Sequence, residues 1–174
     1  HEAQSLISEA IAEARAITTE MSPPLLYDVG LAAALEWLAS ENRRKYGLHC
    51  ELNLEVSDVD DEDVKIFLFR AARELLMNVG KHSGVSSAVL TLRSVGDDLE
   101  LVVQDEGSGF DTDGVARPSG DGRGFGLFSL AESAAHLHAS VDVRSKIGSG
   151  TTVTLRIAPK APTRPHGRPG GNTW

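Results

Sequence analysis

The segment Asp105-Glu106-Gly107-Ser108-Gly109-Phe110-Asp111 follows a strand pattern and precedes a second cluster of glycines. The strand pattern is the apolar run from Leu99 to Gln104, so Asp105 would stand at a strand end, where its carboxylate can accept a hydrogen bond from an amino group. The second cluster, Gly122-Arg123-Gly124-Phe125-Gly126-Leu127, opens a helical pattern whose first N–H groups favour phosphate. These features match the chemistry of a purine nucleotide site, but two ordinary surface turns would also explain the pair of glycine clusters, so a third block upstream decides between them.

A third block, Arg73 to His82, strengthens this interpretation. From Glu62 onward apolar residues recur at helical spacing, which predicts a helix over 62–80 with one buried face. Another face carries Arg70, Glu74, Asn78 and Lys81. Such a stripe is commonly a solvated helix side, yet Asn78 and the late Gly80 within a helix cost stability that a solvated face does not require. An asparagine oxygen can ligate Mg²⁺, and a glutamate one turn earlier can orient or deprotonate a nucleophile.

The three blocks resemble, in this order, the nucleotide-binding boxes of the GHKL superfamily, the ATPases of sensor histidine kinases, gyrase and mismatch-repair proteins. Glu74-x-x-x-Asn78-x-x-Lys81-His82 resembles the N box, Asp105-x-Gly107-x-Gly109 the first glycine box, and Gly124-x-Gly126-Leu127 the second. Gly148-Ser149-Gly150-Thr151 resembles the family's terminal Gly-Thr strand, whose threonine approaches the adenine edge with the help of water. The resemblance covers residues 29 to 158.

The resemblance implies ATP and Mg²⁺ as cofactors and gives a role to each matching residue. Glu74 and Asn78 would be catalytic, with Asn78 as the Mg²⁺ ligand and Glu74 as the base or the group that orients the acceptor. The residues that bind nucleotide would be Asn78, Lys81, His82, Asp105, Gly107, Gly109, Gly124, Gly126, Leu127 and Thr151. His82 has an alternative role as a helix C-terminal residue favoured by the helix dipole.

The patterns predict an α/β two-layer sandwich with a mixed, mainly antiparallel sheet and helices on one face. Hairpins are expected at Gly96-Asp97-Asp98 and at Lys146 to Gly150. The predicted elements are helices 2–20, 29–45, 62–80 and 126–138 and strands 49–56, 86–94, 99–105, 140–145 and 151–158. We expect residues 1–28 to be the end of a second dimerisation helix with a Pro-Pro junction, 29–158 to be the ATP-binding catalytic domain and 159–174 to be a flexible tail. The seven glycines from Gly107 to Gly126 are typical of a lid that closes over nucleotide.

The N-terminal part resembles one branch of the superfamily. From the Pro-Pro pair to Leu35 the chain is similar to the junction found in histidine kinases that partner helix-turn-helix response regulators. This resemblance implies a homodimer through dimerisation helices, a response regulator as partner, and transfer of the ATP γ-phosphoryl group to a histidine for relay. We expect that acceptor to lie outside this chain, because no histidine here has the surroundings of the family's acceptor box. The chain departs from the subfamily at Glu106, Phe125, Ser133 and His138-Ala139, where Asn, His, Arg and Gly-Gly are usual.

Composition limits the partners and leaves two other functions open. A net charge of −8 argues against a nucleic-acid partner. No apolar run could cross a bilayer, so we expect a cytoplasmic domain with any membrane link through a missing N-terminal region. The lone Cys50 lies in a strand pattern and is expected to be a small core residue. The alternatives are an anti-sigma-type serine kinase and a catalytically weak ATP-binding interaction module.

Overall fold

The computed structural model describes residues 24–112 and 125–159, and within them the predicted elements appear close to their expected positions. The helices are α1 (Pro24–Asp28), α2 (Leu31–Tyr46), α3 (Glu62–Asn78) and α4 (Phe125–His136), with a π-helical turn at Val79–Ser83 directly after α3. The strands are β1 (His49–Leu54), β2 (Ser87–Val95), β3 (Asp98–Asp105), β4 (Ser140–Ser145) and β5 (Thr151–Ile157). The helix expected over 2–20, most of the expected lid and the expected tail lie outside the described residues.

The strands of the described residues form one sheet in the order β1-β2-β3-β5-β4. Strands β1 and β2 pair in parallel, and α3 lies in the connection between them. The other neighbouring strands pair antiparallel. Both expected hairpins are present, because β2 pairs with β3 and β4 pairs with β5. The prediction of a mixed, mainly antiparallel sheet is therefore confirmed.

The helices α2, α3 and α4 cover one face of this sheet. Alternate residues of the central strands point to that face and are buried, including Leu90, Leu92, Leu101, Val103 and Leu155. They pack with the apolar side of α3, where Leu68, Phe69 and Leu76 are fully buried. Buried apolar residues recur with a period of two in the strands and 3.6 in the helices, so each element has one apolar face. Packing these faces together gives the two-layer sandwich.

The junction before α2 differs from the prediction of one helix from residue 29. Pro24–Asp28 forms the short α1, and Gly30 then breaks the helix with φ 95°. Asp58, from the loop after β1, accepts a hydrogen bond of 3.0 Å from Leu31 N and forms a salt bridge of 3.0 Å with Lys65 on α3. A side chain at Gly30 would press on the Asp58 carboxylate, so the glycine allows this long-range cap.

Helix α3 begins and ends by different means. Asp61 is its N-cap and accepts hydrogen bonds from Asp63 N and Val64 N at 3.1 and 3.2 Å. At the other end the α-helix stops at Asn78, two residues before the predicted end, and the chain continues as the π-helical turn to Ser83. The Ser83 hydroxyl donates to the Val79 carbonyl at 2.7 Å, and this bond fixes the Ser83 side chain within the π-helical turn. Within the described residues, no helix is long and apolar enough to span a bilayer.

Candidate nucleotide site

Asp105 is the last residue of β3, the central strand of the sheet. The candidate residues meet at this end of the strand. Its side chain is 8% exposed, and its Oδ1 accepts a hydrogen bond of 2.8 Å from Gly107 N. Burial raises the pKa of Asp105, while the backbone N–H groups of Gly107 and Thr151 lower it in part. Asp105 and Thr151 are register partners on adjacent strands. The two residues expected at the adenine end of the site therefore lie side by side.

The first glycine box packs against the π-helical turn. A Cβ at Gly107 would overlap the Ser83 carbonyl and lie 2.7 Å from Asp105 Oδ1, so only glycine fits there. Ser108 then makes two bonds to the turn: its N–H donates to Ser83 O at 2.7 Å, and its hydroxyl donates to His82 O at 3.1 Å. The first box is thus joined directly to the end of the N box.

Gly109 and Gly150 allow the first glycine box to cross the β4–β5 hairpin. Gly109 has φ 57°, and a Cβ there would overlap the Lys146 carbonyl. Gly150 has φ 79°, and a Cβ there would overlap the Asp105 carbonyl. Gly148 N also donates to Ser108 O at 2.7 Å. Two backbone segments lie in contact here, and the missing side chains let them approach.

Glu74 and Asn78, which the sequence predicts to be catalytic, lie close together on α3. They lie one turn apart on α3, both half-buried, and Asn78 Nδ2 donates to Glu74 Oε1 at 3.4 Å. Gly126, in the first turn of α4, lies so close that a Cβ there would overlap the Glu74 carboxylate. The second glycine box therefore meets the N box at the carboxylate. Leu127 is half-buried against the core, and Gly124 lies outside the described residues.

The oxygen atoms of this pair fit a Mg²⁺ ion. The long bond between the side chains uses the amide nitrogen of Asn78, so the Oδ1 atom is not involved in it. Magnesium binds oxygen ligands, keeps several waters and is held by one or two protein groups together with substrate phosphates. Within the described residues no cluster of three or more His, Cys, Asp or Glu side chains could hold a metal alone. A site of this kind would need the phosphates of the nucleotide as further ligands.

Lys81 and His82 are exposed on the π-helical turn beside the first glycine box. Their position fits phosphate binding, and His82 in the last turn equally fits its alternative as a C-terminal helix residue. Gly80 has a packing reason, since a Cβ there would lie 2.8 Å from the Cγ atom of Tyr46 on α2. The stability cost inferred for Gly80 is therefore explained by contact with Tyr46, and only Asn78 supports the argument for a site.

Two open depressions border these residues. One, of about 810 Å³, lies between α3 and α4 and is lined by Arg70, Arg73, Glu74, Gly126 and Ser133 among others. The other, of about 350 Å³, lies at the sheet edge beside Asp105, Ser145, Lys146 and Thr151. Glu74 therefore borders the first depression, and Asp105 and Thr151 border the second.

Three serines hold the site together and were missed by the sequence analysis. Ser83 and Ser108 join the π-helical turn to the first glycine box, and Ser145 Oγ accepts a hydrogen bond of 2.9 Å from Phe110 N. Ser83 and Ser108 give no periodic signal. Ser145 could have been found, because a turn over Lys146 to Gly150 makes it the partner of Thr151.

Solved structures share this fold. The histidine kinase domain from the blue-light activated histidine kinase of Erythrobacter litoralis is 24% identical, with a TM-score of 0.60, over 75% of this chain and 61% of that chain. The structure described as that blue-light activated kinase itself is 18% identical, with a TM-score of 0.66, over 91% of this chain and 60% of that one. This chain therefore spans about three fifths of each. The Acinetobacter baumannii histidine kinase AdeS is 17% identical, with a TM-score of 0.62, over 90% of this chain and 80% of that one.

The sequence also matches a family of nucleotide-dependent enzymes. The family described as "Histidine kinase-, DNA gyrase B-, and HSP90-like ATPase" matches residues 63–161, more than half of the chain. The matched range begins within α3 and extends past the end of β5, so it includes all four of the residues Glu74, Asn78, Asp105 and Thr151. This chain belongs to the histidine kinase-, DNA gyrase B- and HSP90-like ATPase family.

Proposed function

We propose that this chain is the ATP-binding catalytic domain of a sensor histidine kinase. It would transfer the γ-phosphoryl group of ATP to a histidine on a separate dimerisation helix, for relay to a response regulator. The observation that supports this most is the continuous line of contacts from Glu74 and Asn78, through the π-helical turn and Gly107, to Asp105 and Thr151. Membership of an ATPase family supports ATP as the nucleotide.

In this proposal each end of the line has its own task. Asp105 would accept a hydrogen bond from the adenine amino group, since an ionised carboxylate is an acceptor only. Asn78 would hold Mg²⁺ with the phosphates, and the bound ion would neutralise phosphate charge. Glu74 would accept a proton from, or orient, the acceptor imidazole, within reach of the γ-phosphoryl group. Lys81 and His82 would meet the phosphates from the exposed turn. Positioning of the reacting groups supplies most of the rate acceleration in this chemistry.

The proposed partners follow from the same function. The chain would act within a homodimer formed through dimerisation helices, with a response regulator of the helix-turn-helix class as the second substrate. The sequence from the second proline of the Pro-Pro pair to Leu35 supports this branch, because it resembles the junction pattern of that subfamily. The catalytic domain would lie on the cytoplasmic side of the membrane, if the full protein has a membrane anchor.

Nucleotide binding is tested first, by calorimetry with ATP and ADP in the presence of Mg²⁺. Asp105→Ala should weaken binding about 10- to 100-fold, because it removes a charge-assisted acceptor worth about 1.5–3 kcal/mol. Asp97→Ala is the matched control, since Asp97 is exposed in the turn at the other end of β3 and should leave binding unchanged. Absence of binding by the unmutated chain would end the proposal.

The fate of the phosphoryl group is tested second. The chain is incubated with γ-labelled ATP and a separate fragment that bears the dimerisation helices, and the chemical stability of the labelled product is measured. Acid-labile, base-stable label on histidine is expected, and Asn78→Ala should abolish it. Acid-stable label on serine would indicate the serine kinase. Nucleotide binding without ADP formation would indicate the interaction module.

A further inference from the structure

The Ser145 hydroxyl joins three parts of the candidate site. Its Oγ accepts a hydrogen bond of 2.9 Å from Phe110 N in the first glycine box. The same atom lies 3.1 Å from the Gly150 carbonyl and 2.9 Å from Thr151 Oγ1. Ser145 ends β4 as the register partner of Thr151, which is itself the partner of Asp105. One row across three strands thus carries two hydroxyls and a carboxylate.

The direction of these hydrogen bonds follows from counting protons. A serine hydroxyl has one proton to donate and two lone pairs that accept. The Phe110 N–H can only donate, and the Gly150 carbonyl can only accept. Ser145 must therefore donate to Gly150, and the contact with Thr151 is satisfied only if the Thr151 hydroxyl donates to Ser145. One arrangement of protons satisfies all three contacts.

This arrangement leaves Thr151 as an acceptor toward a ligand. Its single proton points to Ser145, so its two lone pairs are the only capacity left to bind a base or a water beside it. Asp105 next to it is also an acceptor when ionised. Two adjacent acceptors complement a group with N–H donors, such as the exocyclic amine of a 6-aminopurine. They oppose a 6-oxo group, which presents an acceptor to them.

We infer that Ser145 is a positioning residue that sets the polarity of the Thr151 hydroxyl and so contributes to selection of 6-aminopurine over 6-oxopurine nucleotides. This role rests on the proposed function, in which Asp105 and Thr151 meet the base. Loss of the Ser145 hydroxyl frees the Thr151 proton to rotate toward the ligand. The site can then donate to a 6-oxo group as well as accept from a 6-amino group.

Calorimetry with ATP and with ITP, each with Mg²⁺, separates this role from a general effect on the fold. ITP carries a 6-oxo group where ATP carries the 6-amino group. The unmutated chain should prefer ATP. Ser145→Ala should lower the ratio of the two affinities about 3- to 10-fold, the size of one hydrogen bond. Ser145→Thr keeps a hydroxyl and should restore the ratio. The effect of Ser145→Ala should vanish when Thr151→Val is also present, since no hydroxyl is then left to orient.

The possible results are distinct. Equal weakening of ATP and ITP by Ser145→Ala, or an unchanged ratio, would show that Ser145 serves only the fold and would overturn its role in selectivity. If Ser145→Ala does not fold by circular dichroism, Ser145→Cys decides, because a thiol is a weak acceptor and holds the Thr151 proton less firmly: a lower ratio supports the role and an unchanged ratio overturns it. If the unmutated chain binds neither nucleotide, the proposed function fails together with this role. If it binds ATP normally, the proposed function survives either outcome for Ser145.

Discussion

Gly126 in the first turn of α4 lies against the carboxylate of Glu74 on α3, with no room for a Cβ between them. Gly126→Ala should therefore displace the Glu74 side chain. The carboxylate is the far end of a flexible chain, so the displacement should cost little stability, and alanine in a helix gains up to about 1 kcal/mol over glycine. We expect phosphoryl transfer to fall at least about 10-fold with an unchanged or higher melting temperature.

Glu132→Ala provides the control for this prediction. Glu132 is exposed on the same helix, and its replacement should change neither turnover nor stability by much. Turnover and calorimetric melting are measured on both variants. A Gly126→Ala variant that retains full turnover would show that the position of the Glu74 carboxylate is not critical.

Gly107→Ala should damage both stability and nucleotide binding. The added Cβ meets the Ser83 carbonyl, which is backbone and cannot move aside without disturbing the π-helical turn. We expect a loss of about 1–3 kcal/mol in the free energy of unfolding, typical of overpacking, and weaker ATP binding as Asp105 shifts. Gly96→Ala is the matched control, because Gly96 has φ 65° but open space around it. It should cost about 1 kcal/mol and leave ATP affinity unchanged, as urea unfolding and calorimetry would show.

Glu100 should make stability depend on pH below neutrality. Its side chain is 1% exposed on the face of the sheet opposite the helices, between Arg156 at 2.5 Å and Arg93 at 2.6 Å. Hydrogen bonds from Arg156 and then Arg93 lower the pKa of Glu100 below its ordinary value of 4.5, despite burial. A lowered pKa in the folded state contributes stability above the unfolded pKa, and this is lost as pH falls through the folded pKa.

Glu100→Gln measures this contribution by urea unfolding at several pH values. The variant should be about 1–2 kcal/mol less stable at pH 7, since the two arginines remain half-exposed to water when unpaired. The difference from the unmutated chain should shrink as the pH falls below 4.5. Glu51→Gln, at an exposed position of β1, should show no such trend. A difference that does not vary with pH would contradict the assigned charge state.

His138→Gly should stabilise the protein. His138 follows α4 with φ 54°, a left-handed conformation, and Ala139 N donates to Ala134 O at 2.9 Å in the usual glycine-ended helix stop. Glycine adopts this conformation without the steric cost of about 1 kcal/mol, so the melting temperature should rise by a few degrees. His136→Gly, two residues earlier within α4, should instead lower it. A fall in stability for His138→Gly would show that its side chain makes a contact worth more than the strain.

The sequence patterns predict most of the fold because the strands alternate cleanly and the helices have one apolar face. Both hairpins and the long helices of the described residues match, and Cys50 lies half-buried on the helix side of β1, where burial raises its pKa to about 11. The α1 helix and the π-helical turn were not predicted. The break between α1 and α2 and the π-helical turn involve tertiary contacts between residues far apart in sequence, namely the Asp58 cap on Leu31 and the Ser108 bond to Ser83.

In the candidate site, too, some residues are predictable from local sequence and others depend on tertiary contacts. Glycine spacing predicted close approach at Gly107, Gly109 and Gly126, and a Cβ at each of these positions would overlap neighbouring atoms. It could not locate Ser145, whose role depends on which strands become neighbours. The sequence pattern favours a functional reason for Gly80, whereas contact with the Tyr46 ring explains this glycine. A glycine in a helix marks a close approach, and the sequence does not say whether a ligand or another helix approaches.

The π-helical turn at Val79–Ser83 has an evolutionary consequence. A π-helical turn holds one residue more than the α-helical turn it replaces. Removal of one residue would restore a regular helix, but each residue of an α-helix turns the chain by about 100°, so Ser83 would rotate away from Ser108. The extra residue of the π-helical turn therefore sets the rotational position of Ser83, which joins the N box to the first glycine box. Homologues should tolerate insertions in the nearby loop after Gly84 far more readily than a single deletion in this turn.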